Sequence, residues 1–111
     1  MPFSFSGALL DGCVLAVLSE DDAYGYKLTQ SLQQAAQISE STLYPVLRRL
    51  QKEGYLETYD SPYAGRNRRY YKITSEGRHK LTHTKEEWVK YKATIDSLLL
   101  QCNDGGMIAD E

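Results

Sequence analysis

Residues 39–56 read SESTLYPVLRRLQKEGYL, and the fold turns on them. Leu43, Val46, Leu47 and Leu50 fall at i, i+3, i+4 and i+7, the apolar stripe of a helix with one buried side. The opposite side carries Ser41, Pro45, Arg48 and Lys52, and Tyr44 and Arg49 lie on the flanks. Pro45 sits near the start, where a missing N–H costs least. Gly54 tolerates the left-handed conformation that stops a helix. One side is therefore plain core and the other is cationic. Taken alone, this equally describes an ordinary surface helix with a solvated basic side.

Outward from this helix, charge is unevenly spread. The chain has 111 residues, enough for one small domain with a modest core, and a formal net charge of −2. Residues 41–72 nevertheless hold seven Lys/Arg against three Asp/Glu, seven minus three giving a local excess of +4. A basic patch on a net acidic chain is a local electrostatic footprint. The two cysteines, Cys13 and Cys102, are far apart and suggest neither a disulfide framework nor a metal site. No stretch approaches the roughly 18 apolar residues of a membrane span. The opening MPFSFSGALLDG lacks the basic start of a secretory signal, so the cytoplasm is the expected location.

Before the organising helix, residues 6–19 read as a first helix. Six consecutive apolar residues, 13–18, make it apolar nearly all round, as if covered by its own domain and by a second surface. Glu20, Asp21 and Asp22 form a loop, and Asp21 or Asp22 is placed to cap a second helix over residues 23–36. A short polar connection then gives a helix-turn-helix. After Gly54 the period changes: residues 55–59 and 69–74 are rich in Tyr, Thr and Ile and read as strands. The intervening DSPYAGRNR, residues 60–68, reads as a loop with a basic tip. A hairpin directly after a helix-turn-helix makes a winged helix, in which a recognition helix can enter a major groove while the wing lies along the backbone.

The last helix is expected from residue 75 to about residue 102, opened by Thr74 or Ser75. At about 1.5 Å per residue it would be roughly 40 Å long, too long for a small core to cover. Leu81, Trp88, Ile95 and Cys102 recur every seventh residue, with Thr84, Tyr91 and Leu98 between them. Such a stripe needs a partner, most simply a second copy of the chain. The organisation expected is a winged helix-turn-helix over residues 1–74, a dimerisation helix over 75–102 and a polar, disordered tail over 103–111. The fold class is mainly α with a small β-hairpin wing.

Three blocks make the sequence recognisable: YGYKL at 24–28, TLYPVLRRLQKEGYL at 42–56 and GRNRRYYKITSEG at 65–77. In order and spacing they resemble the PadR family of bacterial transcriptional regulators, in its compact form with one C-terminal helix. The resemblance implies a homodimeric repressor on a pseudo-palindromic operator, with double-stranded DNA as partner. It also implies that Thr42, Tyr44 and Pro45 belong to the groove-facing block and residues 66–69 to the wing. Trp88 matches a tryptophan that, in some compact members, sandwiches planar aromatic ligands between paired C-terminal helices.

Read from their own chemistry, Ser41, Thr42, Tyr44 and Arg48 are candidates for base contacts, and Lys52, Arg66, Asn67, Arg68 and Arg69 for the phosphate backbone. For Arg49 a structural salt bridge and a DNA contact stand level. Tyr71, in phase with Ile73, should be core, and Tyr70 and Lys72 should face outward. Leu81, Trp88, Tyr91, Ile95 and Leu98 are the dimerisation candidates, and Trp88 is either an interface anchor or a ligand platform. His79 and His83 are four apart but lack a third ligand, so no metal is expected. No enzymatic constellation and no cofactor motif is present. The rival from another class is a winged-helix module that binds protein and never touches DNA.

Overall fold

The computed structural model describes residues 7–34 and 37–100. The chain divides into two compact units, Met1–Leu81 and Thr82–Glu111. Along the chain run α1 (Gly7–Glu20), β1 (Ala23–Tyr24), α2 (Gly25–Leu32), α3 (Glu40–Lys52), β2 (Leu56–Tyr63), β3 (Arg66–Ile73) and α4 (Ser75–Leu99). The three strands form one antiparallel sheet in the order β1-β3-β2.

The core of the first unit is built on leucine. Val14, Leu15 and Leu18 of α1, Leu28 of α2, and Leu43, Leu47 and Leu50 of α3 are fully buried. Tyr71 and Ile73 of β3 close it from the sheet side, as their alternation with Tyr70 and Lys72 requires. Cys13 packs part-buried against this core as a free thiol, and its burial pushes the thiol pKa up.

Helix α3 has both ends chemically finished. The Ser39 hydroxyl accepts from the Thr42 amide at 3.3 Å, the N-cap arrangement that answers one unpaired first-turn donor. At the other end Gly54 has φ +88°, donates to Gln51 O at 3.1 Å, and Tyr55 donates to Leu50 O at 2.9 Å. These two bonds are the Schellman stop, and the left-handed residue in it has to be glycine or bear strain.

Several expectations need correction. The second helix begins later than residue 23, because Ala23 and Tyr24 pair with Tyr71 and Tyr70 as a strand, and its described part ends at Leu32. Asp21 and Asp22 do not cap it: Tyr24 holds the N-cap position without a side-chain bond, and Asp22 accepts from the Tyr59 hydroxyl at 2.6 Å instead. The expected loop at 60–68 is mostly strand. Pairing continues to Tyr63 opposite Arg66, so only Ala64 and Gly65 turn the chain. Their φ values, 52° and 79°, are both positive, the mark of a two-residue turn that matches strand twist. Pro62 is accommodated because β2 is an edge strand.

Helix α4 is opened by Thr74, whose hydroxyl accepts from the Gly77 amide at 3.0 Å and donates to Gly54 O at 2.7 Å. Leu81 is 6% exposed and belongs to the core of the first unit, so it is spoken for within its own chain. Cys102 and residues 103–111 lie outside the described residues.

Candidate nucleic-acid interface

The outward side of α3 is open as its sequence requires: Ser41, Thr42, Pro45, Arg48 and Lys52 are all exposed. At its N-terminus three hydroxyls cluster, Ser39 Oγ lying 2.9 Å from Ser41 Oγ and 3.2 Å from Thr42 Oγ1. Ser39 was not among the expected site residues. A Ser just before the first turn of an apolar-periodic helix is the N-cap signal that could have found it.

Arg49 leaves this set. Its Nη2 lies 2.6 Å from Asp11 Oδ1 on α1, and Nη1 lies 3.5 Å from Glu53. The bond to Asp11 holds the guanidinium above its ordinary pKa. Arg49 therefore ties α3 to α1. Tyr44 is half-buried, and a Cβ on Gly25 would come within 2.5 Å of its hydroxyl oxygen. Burial first, and Glu40 second, push its hydroxyl pKa up. Glycine at position 25 is what lets this ring lie against the start of α2.

On the wing, Arg66, Asn67 and Arg69 are exposed and Arg68 is half-buried. Alternation places Arg66 and Arg68 on the sheet face of Tyr70 and Lys72, and Asn67 and Arg69 on the face of Tyr71 and Ile73. Arg69 has Asp60 at 3.9 Å across the ladder, an exposed and weak pair. Arg68 is sandwiched, its guanidinium carbon 4.2 Å from the Tyr24 ring centre and 4.0 Å from that of Tyr63. Next to it Tyr70 stacks on Tyr59 with centroids 5.5 Å apart and meets Tyr24 edge-on at 5.6 Å. Tyr70 thus belongs to an aromatic row and does not simply face outward. The basic wing is stiffened by this row of rings. Nothing in the local sequence announces this row, because Tyr24, Tyr59 and Tyr70 come together only across the assembled sheet.

The matched sequence lies over this same unit. A family model described as the transcriptional regulator PadR-like family matches residues 14–83. The chain belongs to the PadR family. Its relatives include the uncharacterized protein X of Lysinibacillus sphaericus, 38% identical over 92 residues, or 78% of this chain and 84% of that one. Transcriptional regulator Rv3488 of Mycobacterium tuberculosis is 37% identical over 70 residues, 62% of this chain and 65% of that one. Among solved structures, smu.1704 from Streptococcus mutans matches with a TM-score of 0.85 and 40% identity, over 99% of this chain and 100% of that one. The PadR-like transcriptional regulator from Bacillus cereus matches with a TM-score of 0.79 and 34% identity, over 86% and 95%. PadR-family proteins are transcription regulators rather than enzymes, and the hairpin after α3 is the wing of their DNA-binding winged helix.

The second unit carries the other candidate surface. Along α4, Trp88 is 43% exposed, Tyr91 61% and Leu98 67%. Ile95 is half-buried, and Leu99 adds a further exposed apolar residue. The Trp88 and Tyr91 rings lie 6.2 Å apart at 42°. His83 Nε2 lies 3.3 Å from Glu87 on the same helix, an exposed pair. Among the described residues no group of three His, Cys, Asp or Glu could hold a metal ion, and no helix is long and apolar enough to cross a membrane.

Proposed function

We propose that this PadR-family regulator acts in the cytoplasm as a homodimeric repressor on a pseudo-palindromic operator. The observation that carries the reading is the pairing, within one compact unit, of an exposed α3 side bearing Arg48 and Lys52 with an arginine-rich wing. Lys52, Arg66, Asn67, Arg68 and Arg69 supply phosphate contacts, which set affinity and orientation. Ser41, Thr42, Pro45 and Arg48 face the groove, and Arg48 can pair with guanine through O6 and N7. Tyr44 contributes from the edge of α3. Residues 1–74 form the DNA-binding domain, and α4, Ser75–Leu99, is the dimerisation helix.

The exposed Trp88, Tyr91 and Leu98, with the half-buried Ile95 between them, support the dimer, since a stripe of this kind is covered by a partner. A planar aromatic ligand stacked on Trp88 would release the DNA by its differential affinity for two spacings of the recognition helices.

Footprinting on DNA flanking its own gene tests the reading. Two protected segments are expected on one side of the duplex, about 34–36 Å apart. Protection of a single segment would contradict the dimer on a palindrome. A winged-helix module for protein binding would protect none.

A further inference from the structure

The three hydroxyls that open α3 share a limited number of protons. Ser39 Oγ is their hub: it accepts from the Thr42 amide at 3.3 Å, and it lies 2.9 Å from Ser41 Oγ and 3.2 Å from Thr42 Oγ1. A serine oxygen has one proton and two lone pairs. The amide occupies one lone pair. To keep both hydroxyl contacts, the hub accepts from one neighbour with its second lone pair and donates its own proton to the other. The neighbour that donates inward can only accept from outside. The neighbour that receives keeps its own O–H free. Ser41 and Thr42 therefore present one outward donor between them, beside acceptors, and never two donors together.

This proton order limits the bases that the two side chains can meet. Both are exposed, as is Arg48 further along the helix. In the major groove guanine shows two adjacent acceptors, N7 and O6. Adenine shows an acceptor at N7 beside a donor at N6, and its partner thymine adds an acceptor at O4. Two untied hydroxyls could both donate to guanine. Two hydroxyls tied to one hub can do so only by breaking a bond to it, which leaves a polar group unanswered. Either proton order suits adenine, because reversing the network only exchanges which hydroxyl donates. A G·C pair offers an adjacent donor and acceptor only at cytosine N4 and guanine O6, and it has no methyl to meet the methyl of Thr42, as thymine has. Arg48, which carries donors alone, is the complement for guanine.

We propose that Ser39 determines specificity in the recognition helix: its hydroxyl restricts Ser41 and Thr42 to one outward donor and so commits them to an A·T rather than a G·C base pair. The assignment rests on the DNA-binding reading above and deepens it. Ser39 is a positioning residue, since it acts through its two neighbours and touches no base itself. Its bond to the Thr42 amide also caps α3, so the cap and the proton order come from one hydroxyl.

The test is selection from a randomised duplex library by the full chain, with sequencing of the bound fraction. A Ser41→Ala, Thr42→Val double variant marks the position that the two side chains read, as the one whose preference it loses. At that position the wild type should favour A·T over G·C about tenfold, the scale of one good base contact. Ser39→Gly removes the hub with little loss of capping. It should lose the preference at the marked position, admit guanine there, and leave the other positions as they were. Ser39→Thr keeps the hydroxyl and should keep the preference, whereas a cap with a structural role alone would weaken every position alike. Three results overturn the role of Ser39: an unchanged preference in Ser39→Gly, a wild-type preference for guanine at the marked position, or a double variant that loses no position. A bound fraction without any base preference overturns it too, and leaves the DNA reading standing if binding still falls with salt. That reading falls as well only if the wild type binds no duplex.

Discussion

Arg48 and Arg49 are neighbours in sequence and part company in space. Arg49 is held 2.6 Å from Asp11, while Arg48 is exposed with no such tie. Arg49→Ala should cost about 0–1 kcal/mol in denaturant unfolding, the scale of an exposed pair, and leave DNA affinity unchanged. Arg48→Ala should leave stability unchanged and weaken binding. If Arg49→Ala proves the larger loss in a binding titration, the assignment is reversed. Sequence left the two readings of Arg49 level because Asp11 is 38 positions away, and no local pattern announces a pair at that distance. Gly25 is a sharper residue-scale case. A methyl there would meet Tyr44 Oη at 2.5 Å and its ring at 2.8 Å. Gly25→Ala should destabilise by about 1–3 kcal/mol through overpacking. In the Tyr44→Ala background the same change should cost much less, a coupling read by a double-mutant cycle. Additive costs would show that the two residues do not touch. Tyr59 gives a pH signature. Its hydrogen bond to Asp22 pushes the phenol pKa up to about 12 from an ordinary value near 10. The folded pKa is raised, so its stabilisation is complete below about pH 10 and is lost as pH rises toward about 12. The melting-temperature gap between wild type and Tyr59→Phe should close over that window, and a gap constant from pH 8 to 11 would remove the hydrogen bond from the account.

At the scale of elements, the helices were legible and the sheet only partly so. The α3 stripe was visible because Leu43, Leu47 and Leu50 all point into one core and are fully buried. The hairpin was underestimated because its outer half has no buried side: from Tyr59 to Asn67 every residue but Ser61 is exposed, so no apolar alternation marks the strand. Its order comes from cross-strand partners such as Tyr59 opposite Tyr70, and those depend on a register that composition does not state. Strand β1 escaped because two residues carry no period, and YGY reads as a helix start. The turn offers a test. Ala64 has φ 52°, a conformation that disfavours alanine. Ala64→Asn should stabilise the wing by about 0.5–1 kcal/mol, since Asn-Gly is the preferred pair for this turn. Chemical denaturation measures it, and no gain would mean that the turn is not under backbone strain. The aromatic clamp on Arg68 was invisible from sequence for a related reason. Arg68, Tyr24 and Tyr63 meet only once β1 and the hairpin are assembled on the same sheet.

At the scale of the molecule, net charge misleads and its distribution does not. The chain is −2 overall, yet the exposed cations of α3 and the wing gather in one compact unit. The second unit presents the complementary fact, an exposed apolar stripe on α4. In the proposed dimer Tyr91→Lys places a charge in the seam between copies, and it should shift the chain toward monomer in sedimentation velocity. A dimer unaffected by that change would move the interface off this stripe. On the proposed function, the outer side of α3 and the wing form one electrostatic surface for duplex DNA. Titration of a random duplex at about 50 and 200 mM salt tests it most directly. Affinity should fall steeply with salt, and the Arg66→Ala, Arg68→Ala double variant should bind every sequence more weakly with a flatter slope. Binding that is absent, or that ignores salt and both arginines, would contradict it.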